Sequence, residues 1–280
     1  MRRPLLAAGL AALCVAVGVP AHAWASTSGT AATPAVVNME ATVLAAQIDP
    51  RRADHTLTPG AKDSVLAVEQ ALEALNLLDP QWVDGYFGTT TVAAYAAYQS
   101  SLGYSGLAAN GLPGATSLTK LGQSRFTVTN KIGPGAQVQR DGYVVDARAQ
   151  AMLTAAERLL GYALTLEQGS YNPGGDPTSA GTHDGGGVVD ISVTGMTAAK
   201  RTAVARALRK VGFAAWVRDP SQGDWPWHIH AAAINDTDLS SQAQHQIGDY
   251  YLGLNGLANR GPDDGPQVPI HTWEQYQRGQ

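Results

Sequence analysis

The spacing of apolar residues changes near residue 125, and this change limits the folds that are open to the chain. Before it, apolar residues recur every three or four positions, which predicts a helix over residues 63–77 and two further helices after turns at 84–88 and 110–114. The stripe of the first helix consists of Val65, Val68, Leu72 and Leu75. After residue 125, short alternating segments are separated by single helices. We therefore predict a small all-α, three-helix N-terminal domain over residues 61–122 and an α+β domain with a mostly antiparallel sheet over residues 123–258.

The elements of the α+β domain follow from the same patterns. Strands are predicted over residues 143–145, 163–167, 188–193, 213–217 and 227–234, and helices over residues 147–160, 197–210 and 239–252. In the strand over 188–193, Val189 and Ile191 face one side of the sheet, and Asp190 and Ser192 face the other. Residues 259–280 have no clear period and are predicted to be a C-terminal tail.

The first 25 residues have the three parts of a secretory signal peptide. A basic start, Arg2-Arg3, precedes an apolar run over residues 5–19, and cleavage sites of the A-x-A type end at Ala23 and at Ala25. The run is shorter than the roughly 20 residues that span a bilayer, which argues against an uncleaved membrane anchor. Residues 26–60, rich in Ser, Thr, Ala and Pro, are predicted to be a linker with a short helix over 39–48. We therefore expect a secreted protein with no membrane attachment after signal cleavage.

Cysteine content and charge exclude several functions. The single cysteine, Cys14, lies within the apolar run, so the mature chain has no thiolate for a disulfide or for a metal site. The formal net charge of −4 provides no basic surface for nucleic acid. With 44% hydrophobic and 15% charged residues, the chain has the composition of a folded protein rather than of a disordered one.

The helical region resembles the small three-helix peptidoglycan-binding domain of bacterial wall enzymes. The residues that carry the likeness are Val65…Gln70-Ala71-Leu72, Asp84-Gly85-x-Phe87-Gly88-x-x-Thr91, Ala94-Tyr95-x-x-Tyr98-Gln99 and Asn110-Gly111. That family usually has Val and Phe at the positions of Tyr95 and Tyr98. The resemblance implies peptidoglycan as a partner. It does not locate the glycan groove, because each of these residues also has a role in building turns or packing helices.

Two short segments of the α+β region combine residues that suit a metal ion. His183 and Asp190 are separated by six residues that include three glycines, and His228-Ile-His230 follows after one strand–helix–strand unit. Because side chains alternate along a strand, His228 and His230 share one face. A catalytic zinc site needs about three ligands from His, Asp or Glu and an open position for water. Alone, each segment is a weak signal; together they predict a metal site.

The combination is similar to the ligand set of the zinc D-alanyl-D-alanine carboxypeptidase family (LAS-type peptidases), which includes phage endolysins and the hedgehog signalling domain. The likeness covers about residues 140–235. It implies Zn²⁺ bound by His183, Asp190 and His230, with His228 beside the metal. It also places Asp224 where the hedgehog-like pattern has Glu. We therefore expect Asp224 and His228 to be the catalytic acid–base and oxyanion-stabilising groups.

The sequence also departs from that family at positions that bear on catalysis. Trp227 occupies the position, three residues before the last ligand, where bacterial members usually place the catalytic acid. The upstream Tyr-Arg pair of the family resembles Tyr171-Asn172, with Asn172 where the substrate-binding Arg is expected. We assign Tyr171, Asn172 and Trp227 as substrate-binding candidates. Asp184 is an alternative to Asp224 as the base.

Two functions are compatible with these features. The first is a secreted cell-wall zinc peptidase, either a carboxypeptidase or an endopeptidase, that hydrolyses a bond in peptidoglycan stem peptides or cross-bridges. The second is a non-catalytic peptidoglycan-binding protein with a structural or vestigial zinc site. The sequence favours the enzyme, and whether Asp224 reaches metal-bound water distinguishes the two.

Overall fold

The computed structural model describes residues 34–280, and within them it contains eight α-helices and eight strands. The expected signal peptide with its two cleavage sites lies outside the described residues. The strands are β1 (Ala35–Asn38), β2 (Phe126–Thr129), β3 (Gln137–Arg140), β4 (Tyr143–Asp146), β5 (Leu166–Gln168), β6 (Val188–Ser192), β7 (Phe213–Arg218) and β8 (His228–Ala233). The helices are α1 (Met39–Ile48), α2 (Lys62–Glu73), α3 (Thr89–Ser101), α4 (Ala115–Leu121), α5 (Ala147–Leu160), α6 (Ala198–Lys210), α7 (Ser241–Tyr251) and α8 (Trp273–Gln277). Among residues 34–280, none of the helices combines the length and the apolar character needed to cross a membrane.

The main sheet has four strands in the order β5-β6-β8-β7, and every neighbouring pair is antiparallel. The predicted α+β character and antiparallel sheet are thus confirmed. Two two-stranded sheets accompany it: β3 pairs antiparallel with β4, and β1 pairs parallel with β2. In the main sheet, Asp190 lies directly opposite His230, which in turn lies opposite Trp216.

One face of this sheet is packed by α5 and α6. Side chains that alternate along the strands, among them Val189, Ile191 and Ile229, are fully buried there in one cluster with Met152 and Leu208 of the two helices. The alternation that the sequence shows over β6 therefore has its expected cause: every second residue enters this apolar layer.

The opposite face of the sheet is covered by α7 and by the N-terminal helices. Val188, Trp216 and Ala232 belong to the same buried cluster as Val65 and Tyr95 of α2 and α3. Residues 34–280 consequently form one compact unit. Since this face also carries Asp190 and His230, packing of α7 against it forms one wall of the candidate site.

Residues 34–60, expected to belong to a linker, contribute regular structure and buried side chains. The helix expected over 39–48 is present as α1, whose Gln47 bonds the backbone of Asn235 and Asp236 through its amide oxygen and nitrogen at 3.0 and 3.1 Å. Arg51 holds the carboxylate of Asp249 on α7 with bonds of 3.0 Å. The Ala- and Thr-rich composition concealed this role, because α1 is buried by contacts with residues almost 200 positions away.

The turn between α2 and α3 is organised by one buried acid. Glu69 accepts backbone N–H bonds from Asp84 and Gly85 at 3.0 and 2.7 Å and the hydroxyl bond of Thr91 at 2.9 Å. Gly85 has φ +84°, a conformation that residues with a Cβ rarely adopt. Burial raises the pKa of Glu69 to about 7. A protonatable side chain thus connects the helices on either side of this turn.

The C-terminal residues 259–280 pack against the α+β region. Asp263 accepts two bonds of 2.7 and 2.8 Å from the buried guanidinium of Arg209. Thr272 caps α8, and Glu274 in its first turn pairs with the buried Arg148 of α5. The tail lacks a detectable period because its regular part, α8, is only five residues long.

Candidate metal centre

The sheet register brings two of the three expected ligands together. Asp190 on β6 and His230 on β8 are direct cross-strand partners, and both side chains lie on the face toward α7. His183 comes from the glycine-rich loop before β6, which ends at Gly187 with φ +71°. The Nδ1 atom of His183 lies 2.8 Å from the carbonyl oxygen of Gly169, which fixes the ring.

His183, Asp190 and His230 form a buried cluster that could hold a metal ion. One ligand atom from each residue lies within 4.8 Å of the other two. The carboxylate of Asp190 is 3.3 Å from His183 Nε2 through Oδ2 and 2.8 Å from His230 Nδ1 through Oδ1. The three residues predicted from the sequence are therefore the ones that the structure brings together.

The hydrogen-bonding groups around the two imidazoles fit a cation in this cluster. His183 faces acceptors on both sides, the Gly169 carbonyl at Nδ1 and Asp190 at Nε2, and Nε2 has no hydrogen-bond partner. His230 likewise lies between Asp190 at Nδ1 and Gln246 Oε1 at Nε2, each at 2.8 Å. A neutral imidazole has only one N–H for two acceptors. A metal ion held by His183 Nε2, His230 Nδ1 and Asp190 would leave the remaining N–H of each imidazole to its outer partner, as in many metal sites.

Burial and neighbouring charges shift the pKa values of these three side chains in opposite directions. Burial alone raises the pKa of Asp190, but the adjacent His183 and His230 outweigh it and hold that pKa well below its usual range. Burial lowers the pKa of His230, and it prevails over the attraction of Asp190. For His183, the attraction of Asp190 outweighs burial and raises the pKa. Asp190 is thus an anion at neutral pH, as a metal ligand must be.

The cluster opens into a cavity of about 350 Å³, a size that suits a small-molecule or peptide ligand. His228 lines this cavity, as the sequence predicts. Its Nδ1 atom lies 2.8 Å from the carbonyl oxygen of Pro226, so Nδ1 carries the proton. Its Nε2 atom lies 3.9 Å from Asp190 Oδ1. The Nε2 atom of His228 therefore faces the cluster from a position on β8 two residues before His230.

The structure does not bring the expected carboxylate bases to this cavity. Asp224 is exposed in the loop before β8, and neither it nor Asp184 lines the cavity. Two other acids do line it: Glu167 on β5 and Asp176 in the loop that follows. Hydrogen bonds from the side chain and backbone of Thr178 lower the pKa of Asp176.

The three substrate-binding candidates also lie elsewhere. Trp227 is 44% exposed and stacks against the guanidinium of Arg201, 4.0 Å from the ring centre, on the α6 side of the sheet. Since Trp227 is one residue from His228, strand alternation directs it to the other face. Tyr171 donates its hydroxyl to Asp238 at 3.0 Å and lines a different cavity, between α3–α4 and the α+β region. Asn172 is exposed and does not line the metal cavity.

Trp225, which the sequence offered together with Trp227 as a residue that could line a substrate cleft, does line the cavity. Gln168, Arg218 and Gln246 also line it, and the sequence analysis did not single them out. Arg218 is the cross-strand partner of His228, and Gln168 is that of Asp190, so register alone places both beside the cluster. The alternation of side chains along β7 could have identified Arg218, because it is two residues after Trp216 and therefore lies on the same face as the ligands. Gln246 has no such signal, because it reaches the site from α7.

Comparison of the sequence with protein-family models, with curated proteins and with solved structures finds no match. Function is therefore inferred from the geometry of the site. That geometry consists of an α+β fold with a buried cluster of His183, Asp190 and His230 that could hold a metal ion, below an open cavity.

Proposed function

We propose that this protein is a secreted zinc peptidase that hydrolyses a peptide bond in the stem peptides or cross-bridges of peptidoglycan. The observation that carries the proposal is the buried cluster of two imidazoles and one carboxylate at the base of a cavity. Two nitrogen ligands and one oxygen ligand with an open side are the donor set of catalytic zinc sites. When bound, zinc lowers the pKa of a coordinated water and polarises a carbonyl group.

The residues of the chain around the cluster support proton transfer. His228 directs Nε2 toward the cluster while the Pro226 carbonyl accepts its Nδ1–H. It can accept a proton at Nε2 and return it to a leaving amine. Besides Asp190, the carboxylates of Glu167 and Asp176 line the cavity and can share this role. We therefore assign the acid–base role to His228 instead of Asp224, with Glu167 and Asp176 as its partners.

The role of the N-terminal helices is part of the same proposal. We infer that α2, α3 and α4 form the three-helix peptidoglycan-binding module that the motifs over residues 61–122 resemble. Attachment to the polymer raises the local concentration of stem peptides at the cavity. The signal-peptide pattern of residues 1–25 supports secretion to the cell wall, where this substrate is found.

One observation favours the alternative of a non-catalytic, peptidoglycan-binding zinc protein. Neither Asp224 nor Asp184 lines the cavity, and the side chains of Glu167 and Asp176, which do, belong to exposed residues. A site without a carboxylate fixed beside the metal can bind a peptide without cutting it.

The deciding experiment is mass spectrometry of purified peptidoglycan after incubation with the mature, zinc-loaded protein. New peptide termini are expected, and their masses identify the bond. They should disappear with a chelator and in His183→Ala, and persist in the control His55→Ala, which removes an exposed histidine outside the cavity. If the protein binds peptidoglycan and zinc but produces no new termini, the non-catalytic function is correct.

A further inference from the structure

The cavity beside the ligand cluster is lined by buried N–H groups for which residues 34–280 offer no hydrogen-bond partner. Gln168 Nε2, Trp225 Nε1 and both terminal nitrogens of Arg218 are buried without a hydrogen bond among the described residues. All of them are donors, and a buried donor without a partner costs about 1–3 kcal/mol. Such a set at one cavity suits a ligand that is rich in acceptor oxygens.

Arg218 is the strongest of these groups because it is charged and has no carboxylate in contact, although Asp264, Asp190 and Asp263 act on its pKa from farther away. It is only 2% exposed, yet no carboxylate of the described residues lies within 4.0 Å of it. The other two buried arginines are both paired, Arg148 with Glu274 and Arg209 with Asp263. Burial lowers the pKa of Arg218 only to about 10, so the guanidinium stays charged at neutral pH. Its contact with the face of Trp216, 4.8 Å away, orients it without neutralising it.

The sheet places Arg218 at a defined distance from the metal ligands. His230 lies opposite Trp216, and His228 lies opposite Arg218, so Arg218 is one cross-strand row beyond the metal row. Both rows lie on one face of the sheet, and Arg218 lines the same cavity as His183, Asp190 and His230. A peptide in this cavity can therefore place a bond beside the ligand cluster and a terminal group beside Arg218.

We propose that Arg218 binds the free α-carboxylate of a peptide and thereby selects the last peptide bond for hydrolysis. This inference rests on the proposed peptidase function and makes the protein a carboxypeptidase rather than an endopeptidase. In the reaction, water adds its oxygen to the carbonyl carbon of that bond and the C–N bond breaks. The protons go to the leaving amine, and the last residue departs as a free amino acid. Arg218 acts on specificity and positioning.

The test compares two probes, the peptide acetyl-Lys-D-Ala-D-Ala with a free carboxylate and the same peptide as its C-terminal amide. Binding to the mature, metal-free chain is measured by calorimetry, and KM and kcat are measured on the zinc-loaded protein. We expect the free acid to bind about 10- to 100-fold more tightly than the amide, as for hydrogen bonds to charged groups. Arg218→Met should abolish this preference and raise KM, whereas Arg206→Met, which removes an exposed arginine of α6, should preserve it.

The outcomes separate this inference from the proposed function. Equal binding of acid and amide by the unmutated chain overturns the role of Arg218, and that comparison needs no variant to fold. If the protein also releases cross-bridge fragments from peptidoglycan, the peptidase function stands as an endopeptidase. If Arg218→Met keeps the native circular dichroism spectrum and the acid preference, the carboxylate site lies elsewhere. If neither probe binds and peptidoglycan remains intact, both proposals fail.

Discussion

Replacement of Gln246 by Met tests whether His230 binds a metal ion through Nδ1. In the structure, Gln246 Oε1 lies 2.8 Å from His230 Nε2, and Asp190 Oδ1 lies 2.8 Å from Nδ1. With a metal on Nδ1, the proton must be on Nε2, and Gln246 is its acceptor. Met fills a similar volume but accepts no comparable bond, so the metal-bound form has a largely buried N–H without a partner.

The expected change in zinc affinity follows from the difference between the metal-bound and the metal-free forms of the variant. The metal-free variant can place the proton on Nδ1, where it donates to Asp190, so only the metal-bound form loses a hydrogen bond. An unsatisfied buried N–H costs about 1–3 kcal/mol, and lost outer partners of histidine ligands typically reduce metal affinity by about 10- to 100-fold. We therefore expect the zinc Kd of Gln246→Met to rise by about that factor, with the stoichiometry still one.

The assay is titration of the metal-free protein with zinc in competition with a chromophoric chelator. Gln242→Met is the matched control, because Gln242 lies one turn earlier on α7, is exposed and does not line the cavity. His183→Ala provides the other reference, since loss of a ligand should abolish stoichiometric binding. An unchanged Kd in Gln246→Met refutes ligation through His230 Nδ1. An equal loss in Gln242→Met assigns the effect to α7 in general.

Two further predictions concern catalysis and pH. His228→Ala should lower kcat by about 100-fold or more while zinc remains bound. Asp224→Ala should keep nearly full activity, because Asp224 lies outside the cavity. If steady-state kinetics show instead that Asp224→Ala loses activity and His228→Ala keeps it, Asp224 is the base. The pKa of Glu69, raised to about 7, adds stability below pH about 4.5 that is lost as the pH rises through 7. Glu69→Gln should remove up to about 1.4 kcal/mol per pH unit from that decline, as measured by urea unfolding between pH 5 and 8; equal slopes would show that Glu69 is ionised throughout.

The sequence alone predicted those helices and strands whose pattern is local. Helical spacing predicted α2, although the helix ends at Glu73 rather than at residue 77, because Asn76 adopts φ +58° and terminates it. Alternation predicted β6 and β8. The cluster of His183, Asp190 and His230 was expected from the resemblance to the zinc carboxypeptidase family, and its residues come from two short segments, the loop with strand β6 and the strand β8.

The same alternation contained information about Trp227 and Arg218. Residues one position apart on a strand face opposite sides, so Trp227 and His228 cannot both face the cavity from a regular strand. Residues two positions apart share a face, which places Arg218 with Trp216. The sequence could thus predict on which face of the sheet each of these side chains lies. Whether the side chains come near the ligands depends on the register between β7 and β8.

What only the tertiary structure decided are contacts between residues far apart in the chain. Gln246 reaches His230 from α7, and α1 packs against α7 although its composition is typical of a linker. Asp224 remains outside the cavity although the next two residues of its loop, Trp225 and Pro226, line it. Neighbouring residues encode the periodicity of a helix or strand, because that depends on local backbone geometry and burial. Which faces meet depends instead on the sum of many weak contacts over the whole core, and no short segment of the sequence contains that sum.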